Sequence, residues 1–304
     1  MKKLSKHFVC AILLLFAGAL VYTQESAADR ATIPFSDPSK PGWVKVDVHN
    51  GSITVKGYEG KEVIVEAKTR GKTIKSTGET MAEEIAERVR ARVTGERSER
   101  EERRKEEKQR STEGMRKIAA AGGTGLEIEE DDNVIEVDVS SLRQSVDLTI
   151  QVPYSTSLEL DAHNNGDITV ENVSGEIEID HHNGALRLTG ISGTVVANTW
   201  NGEVVVSFTS VDPDKPMSFS NWNGDIDVTF PANIKASVRM KSERGEVYSD
   251  FDIQLDTTPQ KKEVKKEGKY RISFEKYIIG SINGGGPEYH FKTYMGDIII
   301  RKAK

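Results

Sequence analysis

Four histidines fall beside asparagine-glycine corners: His49, His163, His181 and His182. Imidazole is a common ligand for zinc and copper. On adjacent coils of a stacked β structure, His163 and His181 would stand about 4.8 Å apart, the strand spacing, close enough to share an ion. The alternative is corner packing, with each ring lying on the one above. Trp200 and Trp222 occupy the slot of His49 and His182, two residues before a glycine, which favours stacking over ligation. His182, Trp200 and Trp222 thus make a candidate ligand-contact strip along one edge, able to meet sugars or peptides by stacking and edge contacts. Carboxylates follow the repeat glycines at Asp167, Glu176, Glu203, Asp225, Glu246 and Asp297. Acid/base pairs of carbohydrate-cleaving enzymes can protrude from such coils, but these acids recur with the coil and no odd pair stands out. The Gly-Gly-x-Gly-x-Asp calcium repeat, His-Glu-x-x-His, the P-loop, Gly-x-Ser-x-Gly and paired Cys-x-x-Cys are all missing from the sequence. The expectation is a non-catalytic chain with no cofactor and no metal.

The elements that position these residues repeat. Gly166, Gly175, Gly184, Gly193 and Gly202 are spaced by nine, preceded alternately by Asn (Asn165, Asn183, Asn201) and Ser (Ser174, Ser192). A short fixed period marks a stacked architecture. After each corner the chain alternates, as in Asp167-Ile168-Thr169-Val170, Glu176-Ile177-Glu178-Ile179 and Asp225-Ile226-Asp227-Val228. Period two gives a strand with one buried face, and glycine supplies the positive φ of a sharp corner. Asn165, Asn183, Asn201 and Asn223 are expected to stack as a structural corner ladder. The fold expected is mainly β, a single-stranded β-solenoid or β-helix-like repeat of about 18–22 residues per coil, with a charged α-helical insertion near the N-terminal end. Asn-Gly between alternating runs is also a hairpin signal, so a hairpin-built sheet or sandwich is the rival.

Length and charge bound the rest. The chain has 304 residues, 30% of them charged, and a formal net charge of −6, which argues against nucleic acid as a main partner. Lys2, Lys3 and Lys6 precede an apolar run from Phe8 to Tyr22, with small residues at Ala17-Gly18-Ala19 and Ser26-Ala27-Ala28. Residues 1–28 therefore read as a signal peptide, or as an uncleaved anchor that would be the protein's sole link to a membrane. The single cysteine, Cys10, lies inside it. The division expected is a linker over 29–42, N-terminal β strands over 43–75, a charged helical insertion over 76–125 and a β-solenoid repeat domain over 126–304. Met81, Ile85, Val89 and Val93 recur every fourth residue ahead of the Glu/Arg/Lys run from Glu96 to Arg110, which reads either as a solvated helix or as a tether. Residues 259–268 read as a Lys/Glu-rich loop and Ile282–Pro287 as a flexible connector. Arg301, Lys302 and Lys304 read as a charged guard at one end of the stack.

An exported chain with an early amphipathic segment, tandem Asn-Gly/Ser-Gly-Asp-Ile-x-Val repeats, and the closing Ile282-Asn283-Gly284-Gly285-Gly286-Pro287 and Tyr294-Met295-Gly296-Asp297-Ile298 resembles a bacterial family. That family is the "putative adhesin" group of β-strand-repeat envelope proteins, a domain of unknown function, and the resemblance covers residues 43–304. It implies a β-helical repeat in the cell envelope and carries over no catalytic residues. The function expected is an adhesin-like or scaffold protein, exported to the periplasm, cell surface or medium, that binds an envelope protein or glycan through its repeat faces. The alternatives are an envelope-stress sensor docking a membrane signalling protein through Glu79–Arg110, and a carbohydrate-active enzyme on a β-helix. The sequence does not set the oligomeric state.

Overall fold

The computed structural model describes residues 28–70, 124–139, 144–257, 260–266, 269–275 and 277–304. The expected signal peptide and nearly all of the expected helical insertion lie outside these residues. Every element among the described residues is a strand, so the insertion gains no support as a helix.

Local structure follows the alternation. In the strand Glu176–Asn183, Ile177, Ile179 and His181 point inward and the residues between them outward. In the strand Val204–Val211, Val204, Val206 and Phe208 are the inward set. β-branched residues suit this half-buried pleat. At the corners the strands turn on Gly184, Gly202 and Gly224, whose φ angles are 142°, 133° and 135°. L-residues rarely adopt such values.

A coil of the central repeat contributes one strand to a first sheet, turns at an Asn-Gly corner, and contributes the next strand to a second sheet. Successive coils pair in parallel, residue for residue. Glu176 opposes Thr194 in the first sheet, and Leu186 opposes both Ile168 and Val204 in the second. A hairpin would pair neighbouring strands antiparallel, so the repeat is solenoid-like and the hairpin rival fails there. The strand Leu186–Asn201 serves both sheets, bending near Gly190 and Gly193.

Eight coils stack, but not in chain order. The first, counted along the stack, is Val134–Val139 with Val146–Pro153. The second is Trp43–Asn50 with Ile53–Tyr58, and the third is Ser157–Asn164 with Ile168–Glu171. The fourth and fifth run from Glu176 to Val211, and the sixth is Met217–Asn223 with Ile226–Phe230. The seventh is the chain's last, Glu288–Met295 with Ile298–Lys302. It is wedged between the sixth and the eighth, Ala236–Ser242 with Val247–Ser249. The basic C-terminal residues therefore do not guard an end of the stack. Arg301 instead holds Asp227 of the sixth coil through paired bonds of 2.7 and 2.8 Å.

Antiparallel strands close the ends. Leu126–Asp131 pairs with the first coil in the first sheet. Glu62–Thr69 does so in the second, with Asp29–Pro34 beyond it. At the far end Ile278–Ile282 and then Ile253–Asp256 cover the eighth coil in the first sheet. Two expectations need correction. Gln260–Lys266 is not a loop but a strand paired with Lys269–Glu275. The Ile282–Pro287 segment is a fixed turn, because Asn283 donates its side-chain amide to the carbonyls of Ala232 and Ile234. Apart from Leu126–Asp131, which reaches Val134–Val139 through a two-residue turn, the closing strands have partners far away in sequence, so alternation alone could not pair them.

The interior is a set of rows, one residue per coil. Val46, Leu160, Ile179, Ala197, Phe219, Phe291 and Met240 form one such row and are all buried. Aromatic stacks fill the later coils, with Phe219 on Phe291 at 5.3 Å and Phe208 on Phe230 at 5.1 Å. At the corner the glycines form a column. A Cβ on Gly202 would lie 1.9 Å from the Gly184 carbonyl oxygen, and one on Gly184 would lie 2.0 Å from that of Gly166.

Substituting Gly202 by Ala combines a disfavoured φ with a backbone collision that no rotamer relieves. The expected loss is about 3–5 kcal/mol. Gly284, at φ 88° with nothing within 4 Å of a built Cβ, is the comparator: Gly284→Ala should cost about 1–2 kcal/mol. Urea unfolding of both variants checks the difference.

Candidate functional site

The corner uses its polar residues for backbone satisfaction. At four corners the glycine turns its carbonyl toward the neighbouring coil, where an inward side chain meets it. His181 Nε2 donates to Gly166 O at 2.9 Å, Asn221 Nδ2 to Gly202 O at 2.7 Å and Ser242 Oγ to Gly296 O at 2.9 Å. Thr293 Oγ1 donates to Gly224 O at 3.2 Å. The carboxylates after the glycines complete the corner from outside. Asp167, Asp225 and Asp297 each accept a backbone N–H of the next coil at 2.8 Å, from Ala185, Asp297 and Glu246 respectively. An aspartate at this position caps a turn, which explains the recurrence of these three without catalysis.

The asparagines form a row on the outer side. Asn201 Nδ2 donates to Asn183 Oδ1 at 2.9 Å, and Asn223 Nδ2 to Asn201 Oδ1 at 3.4 Å. Asn165 stands outside this row, in left-handed conformation with φ 47°. Asn164 takes the register position instead, opposite Asn50. The third coil carries one extra residue at its corner, so its offset to the fourth is nineteen rather than eighteen: Ile177 opposes Leu158 and His181 opposes Ala162. Counting glycines alone conceals this shift.

The same shift separates the histidines. His181 points inward and is 3% exposed, while His163 faces outward beside His182. Their ring centroids are 5.7 Å apart, and His49 lies 5.9 Å from His163 on the other side. The pair expected to share a metal ion is thus on opposite faces of its strands. Among the described residues no three His, Cys, Asp or Glu side chains converge as a metal site would require.

The outward rings continue along the edge. Trp200 and Trp222 stack at 5.2 Å with planes 10° apart, and Trp222 stacks on Tyr294 at 4.3 Å and 9°. His49, His163, His182, Trp200, Trp222 and Tyr294 therefore occupy one slot on six consecutive coils. Trp200 is 53% exposed and Trp222 44%. Sequence reading of the strip missed Tyr294, although it too stands two residues before a glycine. Its coil is separated from the Trp222 coil by seventy-two residues in the chain, which hid the adjacency. Trp222, stacked between Trp200 and Tyr294, offers an edge rather than a face to an incoming molecule, whereas the histidine rings meet at tilts of 54° and 48°.

Beside the strip, the outer face of the first sheet is polarised along the stack. One row reads Asp138, Asp47, Asp161 and Asp180 over the first four coils, then Asn198 and Ser220, then Lys292 and Lys241. The next reads Glu136, Lys45, Glu159 and Glu178, then Val196 and Ser218, then His290 and Arg239. Lys45 holds Glu159 at 3.1 Å. Burial, together with Asp180 and Asp47 beside it, raises the Asp161 carboxyl above its ordinary value. At the basic end Arg239 lies 4.0 Å over the Tyr277 ring, and Lys241 holds Glu243 at 2.6 Å. The second corner carries a groove of about 430 Å³ lined by Thr209, Val211, Pro213, Pro231 and Lys235 among others. No carboxylate or histidine lines it, so it holds no acid/base pair.

His181 makes the corner pH-sensitive. With Nε2 donating to a carbonyl, the buried Nδ1 has no partner, and burial lowers the ring's pKa below its ordinary value. The unfolded chain then binds the proton more readily than the fold. Stability is full above the unfolded value, near 6.5, and is lost as pH falls below it toward the lowered folded value. In His181→Asn, which copies the Asn221 bond, thermal melts at pH 7.5 and pH 5.5 should lie closer together than in the parent. An equal acid-induced drop in both would remove His181 as its source.

No curated protein matches the chain. Among solved structures, a putative cell adhesion protein from Clostridium sporogenes is similar over 91% of this chain and 100% of its own, at 10% identity and a TM-score of 0.47. A putative adhesin from Bacteroides fragilis is similar over 91% and 97%, at 10% identity and a TM-score of 0.27. The Toastrack DUF4097 family profile matches residues 39–276, which takes in most of the stacked coils and the asparagine row of their corners, and the chain belongs to that family.

Proposed function

We propose that the protein is a non-catalytic, adhesin-like scaffold of the cell envelope, exported by its N-terminal signal, which holds a protein partner along the ring-bearing edge. The observation that carries this reading is the row of six outward rings on consecutive coils, with Trp200 and Trp222 about half exposed at its centre. Exposed aromatic groups surrounded by polar residues are the usual anchors of protein contacts. The edge-on presentation of Trp222 favours a protein over a glycan, because sugars stack on open ring faces and both of its faces are covered, by Trp200 and by Tyr294. Asp167, Asp225 and Asp297 are engaged by backbone amides, and Glu176, Glu203 and Glu246 by Lys215, Arg187 and Tyr248, which supports binding over catalysis. Repetition makes the contact multivalent, with weak terms added coil by coil.

The test is binding of the labelled protein to envelope preparations. Trp200→Ala/Trp222→Ala/Tyr294→Ala should weaken binding at least about tenfold while circular dichroism stays unchanged, because the rings lie outside the core. Unchanged binding by the folded triple variant would make the strip structural and sink the reading.

A further inference from the structure

We infer that the ring-bearing face of the first sheet is self-complementary and that its partner is a second copy of this chain, packed face to face with the order of its coils reversed. The inference rests on the reading of this edge as a protein contact and names the partner. Three features of the face fit together.

The charge is split by position rather than mixed. Aspartates occupy one outward row on the first four coils and lysines on the seventh and eighth, with Asn198 and Ser220 between them. A two-fold axis parallel to the strands, passing between the fifth and sixth coils, keeps each row on itself and reverses its direction. Asp180 then meets Lys292 of the second copy, and Asp161 meets Lys241. In the adjoining row Glu159 meets Arg239. Each contact occurs twice, as an isologous interface requires.

The second feature is the exposed apolar pair. Trp200 belongs to the fifth coil and Trp222 to the sixth, so the same axis passes between them. Trp200 of one copy faces Trp222 of the other, and four indoles meet at the centre with complementary charges on either side. Buried aromatics within a charged rim are the common pattern of a specific interface.

The third feature is the cost the isolated chain carries. Like charges directly opposite on neighbouring strands repel, and the Asp161 carboxyl is raised by burial and by its neighbours Asp180 and Asp47. A lysine delivered from outside adds a positive charge beside a carboxyl whose burial and acidic neighbours outweigh the opposing influence of His163. The face is also large enough. Eleven paired strands at about 4.8 Å, with outward rows spanning about 20 Å, offer on the order of 1,000 Å² per copy, against about 800 Å² in a standard interface.

The experiment is a charge exchange read by analytical ultracentrifugation of the purified chain at low salt. The parent should dimerise, and more weakly as salt rises. Asp161→Lys/Asp180→Lys sets lysines opposite Lys241 and Lys292 of the second copy, and Lys241→Glu/Lys292→Glu sets acids opposite Asp161 and Asp180. Each variant alone should lose self-association by about a hundredfold or more, and a one-to-one mixture of the two should restore a dimer. Thermal melts establish that both variants are folded. A monomeric parent, or variants that dimerise like the parent, would overturn the inference. The outcomes remain separable from those of the preceding test. A monomeric parent whose binding to envelopes still needs the three rings removes the second copy and leaves the strip. Binding that ignores the rings removes the strip itself.

Discussion

The close approach of corner glycines governs this molecule. Gly184, Gly202 and Gly224 each sit against the carbonyl of the preceding corner, closer than any side chain permits. That contact sets the coil spacing and pins the register, since a slip of one residue would drive a Cβ into backbone. It also turns glycine carbonyls inward, where they require donors. His181, Asn221, Thr293 and Ser242 meet that requirement, which is why polar residues sit among aliphatic ones on the buried face. Thr199, at the equivalent position, is left with an unpartnered hydroxyl.

Once register is pinned, every outward position becomes a row at strand spacing, and rows magnify whatever residue type they contain. Asparagines gain, because each amide can donate to one neighbour and accept from the other. Rings gain by stacking. Carboxylates lose, because aspartates on four adjacent coils cannot avoid one another. A face that keeps such a row while placing lysines at its far end is built from the same geometry that makes the ladders. The fold therefore turns a short sequence period into long, directional surface features without any dedicated loop or pocket.

Particular residues show where sequence reading stops. Trp200 and Trp222 are visible as a strip because both stand two before a glycine, with only a modest insertion between them. Tyr294 shares the signal, yet the intervening coil of Ala236–Ser242 obscures its neighbour. His163 and His181 look like partners at eighteen residues, but the additional Asn165 at the corner moves the register to nineteen and sends one ring in and the other out. A single inserted residue inverts strand faces because side-chain direction has period two.

The sequence by itself determined the period, the inward and outward residues of each strand, the glycine corners and the centre of the aromatic strip, because these depend on contacts between residues close in the chain or repeated at fixed spacing. Only the tertiary structure decided the order of the coils: that Trp43–Asn50 lies between Val134–Val139 and Ser157–Asn164, and that the last coil enters between the sixth and the eighth. The acidic and basic halves of the first sheet exist because of that order. The physical reason is that loop closure costs little more for a long connection than for a short one. Which strands become neighbours is then settled by the fit of their faces and corners rather than by their distance along the chain.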